Sequence, residues 1–453
     1  MKIGILPLGR PTFDVPFAQE NLTAMLERLK ASEHEIVGPQ ELLFDGDAAI
    51  KAMDGLKSES PDRILILQVT FTDAEMTVKI ANSFDQPLSI WAIPEPRIGG
   101  RLRLNSFCGL NLASHALSLN KVPFSWTYAS PAKADLDQLL GAPRTSKPKS
   151  EVFPGNPEAD EIVGKLRGKK IARLGERPDG FHTCDYDKEA LKTLAGVSVN
   201  ELDLNTLFET AKTSPEPDEA REIAQRDVSG LDEVDQEELT RSLKLKTALK
   251  TIKDEGNFDA FAIRCWPETF TEYGGAVCGP VSQMGEAQTP CACEADVYGA
   301  LTQLILQDVA KAPVFLADLV DMDEEDNTGV VWHCGQAPVS MRDTNVTPSA
   351  TIHTNRKMPL LYEFPLKEGR VTFMRISQAE GVPKMIICSG TMLKRPMAFT
   401  GTSGVVRFDR PVSDTLRDLI DCGLEHHTAI AYGDHKDTLK AVSGALNLPV
   451  MEI

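Results

Sequence analysis

Residues 291–306, CACEADVYGALTQLIL, place Glu294 and Asp296 at the mouth of an apolar stretch with helical spacing. Two carboxylates there admit two readings. Acids suit a helix N-terminus, where they cap free N–H groups and offset the macrodipole. Alternatively, they face a cation. Asp318 follows at the end of the run VFLAD, His333 sits within VVWHCG, and His426-His427 stands just before TAIAY. In open α/β sheets, ligands collect where strands end. Carboxylates with one or two imidazoles make an O/N donor set that suits Mn²⁺, Mg²⁺ or Co²⁺ better than structural zinc, which favours thiolates. Each residue also has a plainer reading. Asp318 stands close to Asp321, Asp323 and Glu324, a charge run of the kind found in solvated turns. His333 fits a satisfied core histidine, whereas two adjacent imidazoles before an apolar strand need partners.

Those positions require a scaffold. With 453 residues the chain exceeds one hydrophobic core and divides into several domains. Over residues 1–150, apolar runs such as KIGILPLG, DRILILQVT, PLSIWAIP and KVPFSWTYA alternate with the helical patterns DVPFAQENLTAMLERLKAS and GLNLASHALSLN. That rhythm predicts an open, doubly wound sheet of the Rossmann or flavodoxin kind. Residues 142–160, APRTSKPKSEVFPGNPEAD, read as a linker. A second α/β unit over 151–326 restarts with KKIARLGERPDGF and passes through an acidic, solvated helical middle. It resumes with FDAFAIRCWPE, the helix after Glu294 and the strand APVFLADLV. From residue 327 the period changes to short strands between turn residues, among them TGVVWHCG, PLLYEFPL, RVTFMRIS and PKMIICSG. These predict an antiparallel β-barrel-like domain over 327–453, whose tail returns to helix, strand, helix, strand. The fold class is therefore α/β, with two doubly wound domains followed by a C-terminal antiparallel barrel-like one.

Several functions are disfavoured. A net charge of −18 repels phosphate backbones, and no basic, aromatic-interleaved stripe offers nucleic acid a surface. No G-x-G-x-x-G follows the first strand, and no Walker A loop, H-E-x-x-H or G-x-S-x-G occurs. No apolar run approaches the roughly 18 residues of a membrane span, and MKIGILPLGRPTFD reads as a strand rather than a signal peptide. The nine cysteines are scattered, and Cys291-Ala-Cys293 lacks metal or redox spacing, so reduced thiols in a cytoplasmic protein are expected.

Two blocks resemble a known family. The segment AIRCWPETFTEYGGAVCGPVSQMGEAQTPCACEADVYGALT is similar to the stretch of L-fucose isomerases that leads to their metal-binding glutamate. The segment GLEHHTAIAYGDHKDTLKAVSGALNLPVMEI resembles the C-terminus of L-arabinose isomerases, whose H-H-T motif supplies a metal-ligating histidine. The resemblance to this superfamily implies a metal-dependent aldose–ketose isomerase. It puts Glu294 on the first acidic ligand, Asp318 on the second and His427 on the C-terminal ligand. His333 matches an additional histidine of the arabinose type, although VVWHCGQAP departs from that pattern. A divalent cofactor is implied, Mn²⁺ first with Mg²⁺ or Co²⁺ as alternatives, together with a homo-oligomer, a hexamer with pockets between subunits.

The chemistry accounts for those residue types. Moving a carbonyl from C1 to C2 requires removing the C2 proton and delivering one to C1. A divalent ion bound to O1 and O2 stabilises the enediolate, and two carboxyl groups with separated pKa values serve as base and acid. Glu294 and Asp318 are expected to do both jobs. Arg264, Trp266 and Glu268 at the end of AFAIRCW, His182 in ERPDGFHTCDYD, and Arg10 in LGRPTFD are candidate substrate contacts. The default substrate is a neutral aldose. An acidic sugar such as sulfoquinovose is the alternative, with Arg10, Arg177, Arg264 and His182 to hold a sulfonate. Outside this class stand a non-catalytic sugar-binding protein and a metal-dependent hydrolase.

Overall fold

The computed structural model describes residues 1–144 and 147–453. Thr145 and Ser146, within the expected linker, lie outside the described residues. The remainder of that linker is more ordered than its composition suggests. Glu151 bridges Val450, and Pro157–Leu166 is a helix. Its start carries complete capping signals: Asn156 accepts from the Ala159 N–H, Pro157 opens the helix, and Glu158 and Asp160 occupy the first turn.

The first sheet has five parallel strands in the order Glu35–Val37, Lys2–Leu8, Arg63–Gln68, Leu88–Ala92 and Phe124–Tyr128. Strands Arg63–Gln68 and Leu88–Ala92 are buried along their whole length, as continuous apolar runs in a doubly covered sheet must be. The second sheet repeats the plan with four parallel strands, in the order Ser198–Leu202, Lys170–Leu174, Ala260–Ile263 and Cys291–Cys293.

The third sheet is large and mixed. Its nine strands run Ser349–Thr351, Leu361–Pro365, Thr402–Phe408, Thr328–His333, Phe315–Asp323, His427–Tyr432, Gly369–Ser377, Lys384–Leu393 and Val450–Glu452. Lys384–Leu393 also pairs antiparallel with Thr402–Phe408. Two of the pairings are parallel, so the expectation of a purely antiparallel domain is corrected to a mixed one.

A second correction concerns APVFLADLV. The strand Phe315–Asp323 belongs to this third sheet, antiparallel to Thr328–His333 and to His427–Tyr432. A continuous apolar run reports burial on both faces and cannot say which sheet does the burying. The neighbouring charge run is only partly a solvated turn. Asp323 Oδ1 accepts the N–H groups of Glu325 and Asp326 in the reversal, but Asp321 is buried and bound by Arg97 and Tyr128.

The helix Val297–Ala310 packs between the second and third sheets, and its first ten residues, Val297–Leu306, are buried all round. Leu301, Leu304 and Ile305 each contribute on the order of 1.5–3 kcal/mol by burial. The helix is thereby held rigidly against both sheets. Among the described residues no helix is long and apolar enough to cross a membrane.

Candidate active site

The turn into this helix separates the two acids seen in the sequence. Glu294 and Ala295 both adopt left-handed backbone, with φ of 57° and 56°. Such conformations cost about 1–3 kcal/mol each in a non-glycine residue and persist only where the surroundings hold them. Here the Ala295 N–H donates to the Ile263 carbonyl and the Asp296 N–H to the Cys293 carbonyl. The bend makes Asp296 the N-cap, accepting the Gly299 N–H at 2.7 Å. Glu294 is released from capping and turned towards a pocket.

Three other side chains meet it there. Glu294 Oε1 accepts the Trp266 indole N–H at 3.0 Å, and Oε2 lies 2.9 Å from His426 Nε2 and 3.6 Å from His427 Nε2. Asp318 and His427 face each other across paired strands, with His427 Nε2 3.5 Å from Asp318 Oδ1. On its other side, His427 Nδ1 is 2.9 Å from Asp296 Oδ2. That carboxylate also takes Arg375, at 2.5 Å to Oδ2 and 3.0 Å to Oδ1. An ionised Asp296 demands a proton on Nδ1, which leaves the Nε2 lone pair aimed between Glu294 and Asp318.

His333 is set the other way. Its Nδ1 accepts the Cys334 N–H at 2.9 Å, so the neutral ring carries its proton on Nε2 and presents a donor. Its ring stacks 5.8 Å from that of His427.

Environment drives the titratable groups apart. Burial pushes Glu294 up, but the hydrogen bond from His426, the neighbouring imidazoles and the Trp266 N–H outweigh it and hold the carboxyl at about 2. Asp318 lacks such donors, and burial, aided by Glu294 and opposed by His427, raises it to about 7. Arg375 and His427 hold Asp296 well below the usual carboxylate range against its burial. Burial, with His427 adding, depresses His333 to about 3.

The donor set fits a divalent cation. Asp318 Oδ1 and His427 Nε2 are buried and lack a hydrogen-bond partner among the described residues, and Glu294 Oε2 faces the same point. Ligand atoms of Glu294, His426 and His427, and of Asp318, His333 and His427, lie within 4.8 Å of one another in each group. Buried negative charge and a lone pair converging in this way are costly unless a cation lies between them. The fixed tautomer makes His427 the better nitrogen ligand and His333 a hydrogen-bond donor.

Of the residues singled out in the sequence, Glu294, Asp318, His333, Trp266 and Arg10 line one cavity of about 110 Å³, and His427 contacts it from behind. Arg10 pairs with Asp73 at 2.5 Å. The remaining candidates are placed elsewhere, which corrects the expectation that they stand beside the site. Arg264 and Glu268 close on each other at 2.7 Å and border a separate hollow, and His182 faces Asp185 at 3.4 Å. Sequence reasoning missed Asp296 as the partner of His427, His426 as the partner of Glu294, and Arg356 in the pocket wall. Asp296 had a signal, as an acid at a capping position two residues after another. Arg356, in HTNRKMP, had none.

Residues 4–141 match the family described as fucose/sulfoquinovose isomerase, N-terminal domain, and residues 331–453 match L-fucose isomerase, C-terminal domain. The molecule is an aldose–ketose isomerase. A protein of Priestia megaterium named sulfoquinovose isomerase is 33% identical over 98% of this chain and 97% of its own. Proteins of the same name from Alkalicoccus urumqiensis and a Clostridium species are 31% and 30% identical, each over 99% of this chain and 98% of their own. The chain belongs to the fucose isomerase-like superfamily, with sulfoquinovose isomerases among its relatives. A sugar-binding protein of an ABC transporter from Legionella pneumophila, at 11% identity over 69% of this chain and 96% of its own, has a TM-score of 0.22, a likeness too slight to carry an argument.

Proposed function

We propose that this enzyme interconverts sulfoquinovose and the corresponding 2-ketose, using a divalent cation held by Glu294, Asp318 and His427. The observation that carries the site assignment is the approach of His427 Nε2 to both carboxylates, at 3.6 and 3.5 Å. The substrate reading is supported by the names of full-length relatives at 30–33% identity. An O/N donor set favours Mn²⁺, with Mg²⁺ or Co²⁺ as alternatives.

When bound, the cation supplies Lewis-acid stabilisation of the two neighbouring sugar oxygens. The protein supplies the proton path. Two proton movements are needed: one from C2 to C1, and one from O2 to O1. Asp318, poised near neutrality, both takes and returns a proton. Glu294, held ionised by its histidine neighbours, is the fixed charge and the second acceptor. His333 donates through Nε2 to a sugar oxygen, the role its tautomer permits. Trp266 and Phe270 wall the cavity and exclude water.

Other parts of the reading rest on separate support. The C-terminal unit is proposed as a six-stranded barrel, because pairings lead from Thr402–Phe408 through Thr328–His333, Phe315–Asp323, His427–Tyr432, Gly369–Ser377 and Lys384–Leu393 back to it. The domain division is proposed at 150 and, because Phe315–Asp323 pairs within the third sheet, near 314 in place of 326. A homo-oligomer is proposed, a hexamer by the resemblance to the isomerase superfamily. Nine free cysteines favour the reducing cytoplasm.

The test is turnover by metal-stripped protein resupplied with Mn²⁺, offered sulfoquinovose, fucose, arabinose and ribose. We expect a ketose of unchanged mass from sulfoquinovose, and incorporation of one deuteron at carbon in D₂O. No ketose from sulfoquinovose would overturn the substrate, and no ketose from any of the sugars would overturn the assignment of the site.

A further inference from the structure

The pocket that holds the carboxylates is also lined by cations. Two guanidinium groups reach it from different parts of the chain. Arg10, on the loop after the first strand, is neutralised by Asp73. Arg356, on the loop between Ser349–Thr351 and Leu361–Pro365, makes no side-chain hydrogen bond or ion pair among the described residues. Its guanidinium carbon lies 5.1 Å from the Trp266 ring centre and 5.4 Å from that of Phe270. The arginines named from sequence for an anionic substrate are all engaged: Arg10 with Asp73, Arg177 with Asp185, and Arg264 with Glu268. The unengaged one is the one that sequence did not suggest.

Its loop is built to present it. His353 Nδ1 accepts the N–H groups of Asn355 and Arg356, at 3.2 and 3.3 Å. The His353 N–H donates to the Met358 carbonyl, the Lys357 N–H returns to the His353 carbonyl, and the His353 ring packs edge-on to Phe270. The turn therefore fixes where Arg356 points.

A half-buried guanidinium without a counter-ion is costly, and burial together with nearby Arg10 depresses its pKa. Neither carboxylate pairs with it, and Trp266 contacts both Glu294 and Arg356. The indole N–H donates to Glu294 at 3.0 Å while the ring faces Arg356. One indole thus contacts both groups, the carboxylate through its N–H and the guanidinium across its ring.

We infer that Arg356 holds the sulfonate at C6 of the substrate and is the residue that selects a sulfonated over a neutral aldose. This rests on the sulfoquinovose reading above. A sulfonate is anionic at every pH of interest and offers three acceptor oxygens to the planar fork of arginine, which an ammonium matches less well. The neighbouring Arg10, neutralised by Asp73, does not compete for the same oxygens.

The measurement is the ratio of kcat/KM for sulfoquinovose to that for its neutral counterpart, 6-deoxyglucose. In Arg356→Gln the ratio should fall on the order of 10²-fold, mainly through KM, as expected for loss of one charge-assisted hydrogen-bonding partner. In Arg356→Lys it should fall by roughly 10-fold, and this variant decides the matter if the Gln protein does not fold. A wild-type preference for sulfoquinovose that survives in the soluble variant overturns the role of Arg356 while leaving the substrate reading intact. Wild-type protein that converts only the neutral sugar overturns both.

Discussion

The turn at 294–296 and the strand Phe315–Asp323 each deliver one carboxylate to the same point, by opposite means. The turn is irregular, with two left-handed residues, and surrounds Glu294 with donors from Trp266 and His426. The strand is regular, and its pairing alone sets Asp318 against His427, leaving Asp318 Oδ1 without a donor among the described residues. Burial acts on both acids alike. The donors make the difference, holding one at about 2 and letting the other rise to about 7. Two acids a few ångströms apart acquire different proton affinities because one sits in a purpose-bent loop and the other on a plain strand.

Breaking the turn's contribution should have the largest effect. Glu294→Gln keeps the shape and removes the fixed charge, so kcat should fall about 10³–10⁴-fold with loss of bound metal, read by turnover and elemental analysis. Asp318→Asn should lower kcat by about 10²–10³-fold and abolish the limb of the pH–rate profile that belongs to Asp318. Asp296→Asn frees His427 from its fixed tautomer and should weaken metal binding about 10–100-fold by titration. It also leaves Arg375 buried without its full partner, at a stability cost of about 3–5 kcal/mol in denaturant unfolding.

The metal-free protein sharpens the same contrast through pH. Asp318 is raised to about 7 from an ordinary value near 3.9, so its stabilising effect is present in acid and is lost as pH rises through 7. His333 is depressed to about 3 from about 6.5, so its contribution is present above 6.5 and is lost as pH falls towards 3. Between about pH 4 and 6.5 the two oppose each other. Asp318→Asn should unmask the histidine, giving a stability that falls on acidification, by up to about 1.4 kcal/mol for each unit that the pH drops across that window. An unchanged slope would mean that Asp318 is ionised in the metal-free fold. The smallest effect is expected from Trp266→Phe, which removes one donor from Glu294 and should cost roughly 10-fold in activity.

Much of this was legible in the chain. Apolar runs and their alternation announced both parallel sheets, since a strand covered on both faces leaves an unbroken apolar signature. Two of the three residues proposed to hold the cation, Glu294 and His427, stand in the blocks that resemble isomerases, and Asp318 stood out as the acid ending the run VFLAD. The sheet that owns Phe315–Asp323 was not, because pairing partners leave no mark on a doubly buried strand. Nor were the partners of Arg264 and Glu268, four residues apart and closed on each other. Arg356 was invisible for a third reason: its meaning lies in what it fails to touch, and sequence does not display the lack of a contact.

The position of His427–Tyr432 has a consequence for how the molecule is made. Only one strand follows it in the chain, yet it inserts between Phe315–Asp323 and Gly369–Ser377. Until it arrives, both neighbours present open edges, the state in which a nascent sheet is most prone to wrong partners. In the cation site proposed above, filling that slot and delivering His427 are one event, so the grip on a cation would form only when the backbone is properly zipped. Metal loading thereby doubles as an inspection of folding.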